Sequence, residues 1–332
     1  MFDPVNRRNF LAATAATAAI GVTGCRRRGH GKRLRFLTSW FAQAEHGGFY
    51  QAQATGLYAR AGLDVAIDMG GPQVNGMQLL SAGAADIIMG YDIQVLKAVE
   101  QGLPVVTIAA CFQKDLQGLM THADVTDLAQ LRDHKVLLAT PSHATFWPWL
   151  QQRYGFRDDQ IMPYTYNLQP FLRDPRTAVQ AFPSAEPFEA SKQGARVNFF
   201  ALSDQGYPPY GATLITTRAF LERRGDAVAA FLRASMLGWR DYLARPAPGN
   251  GLIRVANPQM TQDRLDYAVA YLAQHRVLDA GLAPGQGIGS MTAERWQRTR
   301  DFLVQGRMLS PGTDWRRAFT TQFTQHAGLH QP

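Results

Sequence analysis

Aromatic side chains recur where predicted strands end and predicted helices begin. An aromatic face stacks on a planar ring, and a phenol or indole edge fixes that ring's orientation. Residues of this type at these positions therefore predict binding of a molecule with a planar ring, with ordinary packing as the alternative for any single aromatic. The candidates are Trp40, Phe41, Tyr50, Tyr91, Tyr166, Tyr207 and Tyr210.

Three polar residues stand at predicted helix starts. Glu186 lies between a strand and a helix, and its carboxylate can accept hydrogen bonds from an amino group or a ring nitrogen. His46 precedes two glycines and can donate to a polar ligand, and Asp92 begins the next such helix. We include all three as candidate ligand-binding residues. The alternative for each residue is that it stabilises the start of its helix. For Glu186 and Asp92, the helix macrodipole favours a negative charge at that position.

Catalytic chemistry has little support in the chain. The two cysteines are Cys25 and Cys111, and no Cys/His cluster has metal-ligand spacing. Cys111 is interpreted as a small buried apolar residue. Gly-rich phosphate motifs and a serine nucleophile elbow are missing from the sequence. The sequence therefore predicts a protein that is not an enzyme and has no catalytic residue, no metal and no cofactor.

The formal net charge of +8 is concentrated at one end of the chain. Residues 1–35 contribute +7 of it, and the remaining 297 residues contribute +1. A nucleic-acid binder carries its positive charge on the folded face that meets phosphate. The nearly neutral body therefore argues against nucleic acid as a partner.

The first 25 residues have the pattern of an export signal. Arg7 and Arg8 precede a mildly apolar stretch, residues 10–22, that is too short to span a bilayer. The stretch ends in Val-Thr-Gly-Cys, so the segment resembles a twin-arginine signal with a lipobox, which implies lipidation of Cys25. Residues 26–33 then form a basic tether suited to an anionic membrane surface. An ordinary cleaved secretory peptide is the alternative.

The rest of the chain alternates strands with helices, which is typical of parallel β-α-β units in an α/β fold. After residue 217 the pattern becomes mainly helical. Strands are predicted at 34–39, 63–67, 85–89, 104–110, 135–139, 161–166, 179–182, 197–201 and 211–216. Helices are predicted at 47–61, 73–82, 92–101, 145–154, 187–193, 226–243, 261–275 and 292–306.

A series of short segments resembles, in the right order, the thiamine-precursor-binding (SsuA/THI5-like) family. This family contains periplasmic solute-binding proteins of ABC transporters and a yeast pyrimidine synthase. The resemblance runs from about Leu34 to Phe323 and begins with the sequence WFAQAEHGGFY at residues 40–50. The further matching segments are 56–58, 61–65, 70–72, 83–87, 102–106, 186–188, 206–210, 257–258, 287–289 and 291–292.

The resemblance implies a type II periplasmic-binding fold with two α/β lobes, a cleft between them and a helical C-terminal tail. It places lobe I at 34–118 plus 212–325 and lobe II at 119–211. It also implies that Trp40 and Glu186 grip a pyrimidine-like ligand. The synthase's cofactor lysine and substrate histidine fall on Gly90 and Gln94 here, which supports a binding role.

The functional expectation is a monomeric, lipid-anchored periplasmic or cell-surface protein that delivers a thiamine-precursor-like pyrimidine to an inner-membrane permease and ATPase. The cargo has alternatives, because relatives of this fold hold sulfonates, flavins or other nitrogen heterocycles. A sensor lipoprotein without a transporter is a further alternative, since a permease-docking surface leaves no motif. A pyrimidine-synthase-like enzyme is the remaining one.

Overall fold

The computed structural model describes residues 33–284 and 286–324. The predicted export signal and Cys25 lie outside the described residues, as does most of the basic tether. Within the described part of the chain, no helix combines the length and apolar character needed to cross a membrane.

Lobe I is built on a five-stranded sheet in the order β2-β1-β3-β10-β4. Strands β1, β2 and β3 run parallel, whereas β10 runs antiparallel to both β3 and β4. The expectation of purely parallel units is therefore wrong for β10, which enters the sheet only after the chain has returned from lobe II. The strands are β1 Leu34–Leu37, β2 Val65–Asp68, β3 Ile87–Gly90, β4 Val105–Phe112 and β10 Gly211–Thr217.

Lobe II repeats the arrangement with the order β7-β6-β8-β5-β9. Strand β5 is antiparallel to β8 and β9, and the sequence patterns did not predict it. Its Gly118 packs directly on the Phe199 ring, since a Cβ there would lie 2.3 Å from that ring. The strands are β5 Gly118–His122, β6 Lys135–Leu138, β7 Ile161–Pro163, β8 Thr177–Ala181 and β9 Val197–Ala201.

Helices cover both sheets, and most lie within a few residues of their predicted positions. The single helix predicted at 47–61 is wrong, because Gly56 adopts a left-handed conformation (φ 72°) and divides it in two. The helices are α1 Gly47–Ala54, α2 Leu57–Arg60, α3 Gly76–Ser81, α4 Asp92–Glu100, α5 Trp147–Tyr154, α6 Gln169–Arg173, α7 Glu186–Lys192, α8 Arg218–Ala244, α9 Ala247–Ala256, α10 Gln262–Gln274 and α11 Ala293–Gln305.

The glycine pair that begins α1 allows α8 to approach it. A Cβ on Gly47 would lie 2.0 Å from the Tyr242 ring, and one on Gly48 would lie 2.2 Å from the Trp239 ring. Any larger residue would push the two helices apart. The short 3-10 helix Ala44–His46 directly precedes α1 and is buried.

Two short segments connect the sheets. The chain leaves lobe I between β4 and β5, through residues 113–117, and returns between β9 and β10, through residues 202–210. We call them the outgoing and the returning crossover. The domain boundaries given above remain a prediction.

Candidate ligand-binding site

A cavity lies between the two lobes, where the carboxyl ends of parallel strands face each other. It is narrow in this closed form, with about 70 Å³ that the centre of a water-sized sphere can reach. Lobe I lines it with residues that follow β1 and β3, and lobe II with residues that follow β6 and β8. Ligands of α/β proteins bind at such strand ends, because the backbone and the loops there present unpaired polar groups.

One wall of the cavity is aromatic and includes side chains from both lobes. Trp40 lines the cavity and stacks at 23° on Tyr164 of lobe II, with ring centroids 6.1 Å apart. Tyr166 meets the Trp40 ring edge-on at 6.1 Å, but Tyr164 and Tyr166 lie behind Trp40 and do not line the cavity. The aromatic residues with which lobe II lines it are Phe146 and Phe182. Tyr91 also lines the cavity, at the end of β3. The wall therefore offers flat apolar faces to a planar ring.

The polar part of the cavity lining consists mainly of neutral amides and hydroxyls. The Gln180 Oε1 accepts hydrogen bonds from the Ala139 N–H (2.6 Å) and the Ser142 hydroxyl (2.8 Å), which leaves its NH₂ group for a ligand. Gln117 donates from Nε2 to Asp115 at 2.9 Å, which leaves its carbonyl oxygen. The wall thus provides both donors and acceptors. The polar lining residues are Thr38, Ser39, Gln43, Gln94, Gln117, Ser142, Gln180 and Glu186, with no Lys, Arg or His among the described lining residues.

Glu186 provides the anionic group of the cavity. It is the first residue of α7 and is 6% exposed. Its Oε1 accepts from the Tyr164 hydroxyl at 3.1 Å, and its Oε2 accepts from the Phe182 N–H at 2.8 Å. Burial raises the pKa of this carboxyl, and the charge of Arg264 opposes that increase. In its ionised form the carboxylate can accept a further hydrogen bond from a ligand N–H.

Three other predicted residues lie behind this lining. Phe41 packs on Tyr166, with centroids 5.2 Å apart, but does not line the cavity. His46 is buried, and burial lowers its pKa to about 3, so the imidazole is neutral; its Nε2 lies 3.5 Å from the Ser39 hydroxyl. Tyr50 is also buried, and burial raises its pKa to about 12.

The last three predicted residues lie outside the cavity lining. The Asp92 carboxylate accepts from its neighbour Ile93 N–H (2.8 Å) and from Tyr210 N–H (2.9 Å). The Tyr210 hydroxyl accepts from Thr292 N–H at 3.0 Å. Tyr207 packs in the core of lobe II, on Trp149. The structure thus brings Trp40, Tyr91 and Glu186 to one cavity and separates these three from it; a ligand-binding role for any of the ten stays a prediction.

Sequence reasoning did not find the amide residues of the lining or Arg264. Gln43, Gln117 and Gln180 belong to no recognisable motif, and glutamine is common on protein surfaces. Gln117 and Gln180 stand at ends of β5 and β8, whereas Gln43 precedes the 3-10 helix Ala44–His46. The position of Gln117 depends on β5, which the sequence patterns missed.

Comparisons with known proteins identify relatives of this chain. The family model described as NMT1/THI5 like matches residues 43–248. The chain is 24% identical to the formylaminopyrimidine-binding protein of Halalkalibacterium halodurans, over 81% of this chain and 84% of that protein. It is 22% identical to the riboflavin-binding protein RibY of Chloroflexus aurantiacus, over 88% and 86%. The periplasmic aliphatic sulphonate binding protein SsuA of Escherichia coli shares the fold, with a TM-score of 0.61 and 16% identity over 87% and 92% of the chains.

Proposed function

The chain belongs to the NMT1/THI5-like family, and on that premise we propose that it is the solute-binding component of an ABC importer. It captures a small heteroaromatic ligand between its lobes, and a thiamine-precursor-like pyrimidine is the best candidate. The observation that carries the proposal is the inter-lobe cavity, in which Trp40 provides a stacking face and Glu186 an acceptor. Two of the chain's relatives are named for binding a pyrimidine and a flavin, which are both nitrogen heterocycles.

The charge of the lining favours a heterocycle over a sulfonate. A permanently anionic group that leaves water needs a cation or several donors around it. The described lining residues include one carboxylate, Glu186, and no Lys, Arg or His. A ring with amino or N–H donors complements such a lining, whereas a sulfonate would be repelled by the buried carboxylate.

A flavin is the second candidate cargo, because a second cavity lies beside the first. The second cavity has about 490 Å³ that the centre of a water-sized sphere can reach. The two share the lining residues Val74, Gly76, Met77, Gln94 and Pro141, so they are neighbours. A ligand with a long substituent would occupy both cavities, and a simple pyrimidine would occupy the first.

We propose that the protein does no chemistry on its ligand. A fold does not by itself decide between binding and catalysis, so the argument rests on the residues. Cys111 is buried in the core of lobe I, and burial raises its thiol pKa, so it is not a thiolate nucleophile. Among the described residues, no group of three or more His, Cys, Asp or Glu is placed to hold a metal ion.

Export and partners complete the proposal. The N-terminal pattern supports twin-arginine export to the periplasm or cell exterior, with a lipid on Cys25 and the basic tether at the membrane. The monomeric protein would then present its closed lobes to an inner-membrane permease and its ATPase. A nucleic-acid partner has no support from the nearly neutral body.

A ligand screen by thermal unfolding tests the proposal. The full chain carrying Cys25→Ser, which prevents lipidation, is melted with formylaminopyrimidine, riboflavin or methanesulfonate. A ligand present at about 100 times its Kd stabilises the folded state by about 2.7 kcal/mol through mass action. We expect a higher melting temperature with formylaminopyrimidine and none of this effect with methanesulfonate. Stabilisation by methanesulfonate alone would contradict the proposed ligand class.

A further inference from the structure

Arg264 is a lobe I residue whose side chain is buried against lobe II. It lies on α10, and its side chain is only 10% exposed. Its guanidinium carbon lies 5.1 Å from the centre of the Tyr166 ring, and its Nη1 lies 3.7 Å from the Glu189 carboxylate on α7. Both contacts join the lobes, so they exist only when the lobes are together.

Two buried carboxylates meet near this guanidinium. Glu45 belongs to lobe I, and its Oε1 accepts a hydrogen bond from the Ser184 hydroxyl of lobe II. Glu186 belongs to lobe II and lines the ligand cavity. Closing the lobes brings two negative charges into a region without water, which is unfavourable unless a positive charge accompanies them. Arg264 is the residue that brings this charge.

The pKa values of Glu45 and Glu186 reflect their burial and the nearby charge of Arg264. Burial raises the pKa of Glu45 and that of Glu186. The charge of Arg264 lowers both pKa values, whereas Glu186 raises that of Glu45. The other titratable groups that face this set are Glu189, Tyr164 and Tyr166. Arg264 is therefore a positive charge that favours the ionised form of both carboxyls.

A second ion pair joins the same two helices and provides a contrast. Lys192 of α7 contacts Asp263 of α10 at 2.5 Å, but both side chains are about half exposed. Exposed pairs of this kind contribute little, because water and salt screen them. The Lys192–Asp263 pair is thus available as a control for Arg264, since it joins the same two helices but is exposed.

We propose that Arg264 is the inter-lobe latch of the binding site, a positioning residue that brings its positive charge against the acidic face of α7, which carries Glu189 and Glu186, when the lobes close. The inference rests on the proposed function, since it assigns Glu186 as the acceptor for ligand N–H donors. Arg264 does not line the cavity. It acts through Glu186 and couples ligand binding to closure.

The first test measures formylaminopyrimidine affinity by calorimetry between pH 5 and pH 8, with the full chain carrying Cys25→Ser as the parent. Arg264→Met removes the charge and keeps an unbranched apolar side chain. We expect Kd at pH 7 to rise at least about thirtyfold, since a buried charge loses its partner. Binding requires the ionised carboxyl, so it weakens as pH falls through the Glu186 pKa. Without Arg264 that pKa is higher, and the loss of binding begins at a higher pH.

Two variants separate this role from general packing. Arg264→Lys restores the charge and should recover most of the affinity and the parental pH profile. Lys192→Met removes the exposed inter-lobe pair and should change Kd less than about threefold. If Arg264→Met binds with the parental Kd across the whole pH range, the latch is refuted while the proposed function stands.

If the parent protein binds no probe, the proposed ligand class is refuted. A measurement without ligand still tests the latch in that case. Small-angle X-ray scattering then compares the radius of gyration of the unliganded proteins at pH 7. We expect Arg264→Met to be larger than both the parent and Lys192→Met, because its closed form has lost its compensating charge. Equal radii for all three proteins would refute the latch independently.

Discussion

Two buried polar regions of the molecule have similar residue types but differ in whether their polar groups already have hydrogen-bond partners within the protein. The cavity wall comprises Trp40, Tyr91, Gln180 and Glu186, and the residues around the crossovers, which we call the crossover cluster, comprise Asp92, Tyr210, Thr292, Arg295 and Thr299. Each region combines aromatic and charged side chains near strand ends. In the crossover cluster these groups form hydrogen bonds with one another. In the cavity wall, some amide and carboxylate atoms can still form hydrogen bonds and face the cavity.

The crossover cluster connects the two segments that join the lobes. Arg295 donates from Nη1 to the Gln113 carbonyl (2.6 Å) in the outgoing crossover and from Nη2 to the Pro209 carbonyl (3.2 Å) in the returning one. Its guanidinium carbon also lies 3.9 Å from the centre of the Tyr210 ring. One helix of lobe I therefore fixes both crossovers. A polar group that its own protein saturates is structural, and one that faces a cavity is available for binding.

The largest expected effect is on stability, and it comes from Asp92. Asp92→Ala removes the acceptor of the buried Tyr210 N–H and of the Ile93 N–H. Leaving buried donors unsatisfied costs about 1–3 kcal/mol each, so we expect the free energy of unfolding to fall by about 3 kcal/mol. Urea denaturation monitored by circular dichroism measures it. Ligand Kd, measured well below the unfolding transition, should change less than about threefold; a specific loss of binding with intact stability would place Asp92 in the binding site instead.

The second effect is on binding, and it comes from the cavity wall. Trp40→Ala removes the stacking face, and we expect the binding free energy to fall by about 2 kcal/mol, about thirtyfold in Kd. Trp40 is half-buried, so the melting temperature of the unliganded protein should stay nearly unchanged. Calorimetry and thermal unfolding together measure the two quantities. A large drop in the unliganded melting temperature would make Trp40 a packing residue and erase the contrast with the crossover cluster.

The sequence predicted the fold class and most elements, and it selected Trp40, which lines the cavity, but it did not predict the distinction between the two regions. Trp40 and Tyr210 both occur beside a strand of lobe I, and local periodicity carries no information about which group a side chain meets after folding. The insertion of β10 between β3 and β4 was also hidden, because apolar strands look the same whether they pair parallel or antiparallel. That pairing brings Tyr210 to Asp92 and away from the cavity.

A third test uses the part of the pH dependence of stability that comes from buried carboxyls in and beside the outgoing crossover and not from the cavity wall. Asp115 accepts from the Gln117 N–H (3.1 Å) and side-chain amide, and burial raises its pKa to about 7; burial also raises the pKa of Asp92 to about 6. A folded pKa above the unfolded value, about 3.9, means that the native state binds the extra proton. The stability that these two carboxyls contribute is therefore fully present below about pH 3.9 and is lost as pH rises through 6 and 7. The buried neutral His46, whose pKa is about 3, changes stability in the opposite direction below its ordinary pKa. Asp115→Asn should flatten this decline by on the order of 1 kcal/mol for each pH unit between about 4 and 7, measured by urea titrations at several pH values. An unchanged slope would mean that Asp115 does not titrate in this range.

The smallest effects come from two tyrosine hydroxyls, which test whether saturation is what divides the regions. The Tyr210 hydroxyl accepts from the Thr292 N–H, whereas the Tyr207 hydroxyl is buried without a hydrogen-bond partner in the described part of the structure. Tyr210→Phe should lower the free energy of unfolding by about 1 kcal/mol, because an N–H at the start of α11 loses its acceptor. Tyr207→Phe removes an unpaired polar atom from an apolar core and should be neutral or stabilising by up to about 1 kcal/mol.

Urea denaturation of the two variants beside the parent measures both changes, and calorimetry should show an unchanged ligand Kd in each. If Tyr207→Phe instead weakens binding tenfold without loss of stability, its hydroxyl reaches the ligand in solution. The separation between the cavity wall and the core of lobe II would then have to be redrawn.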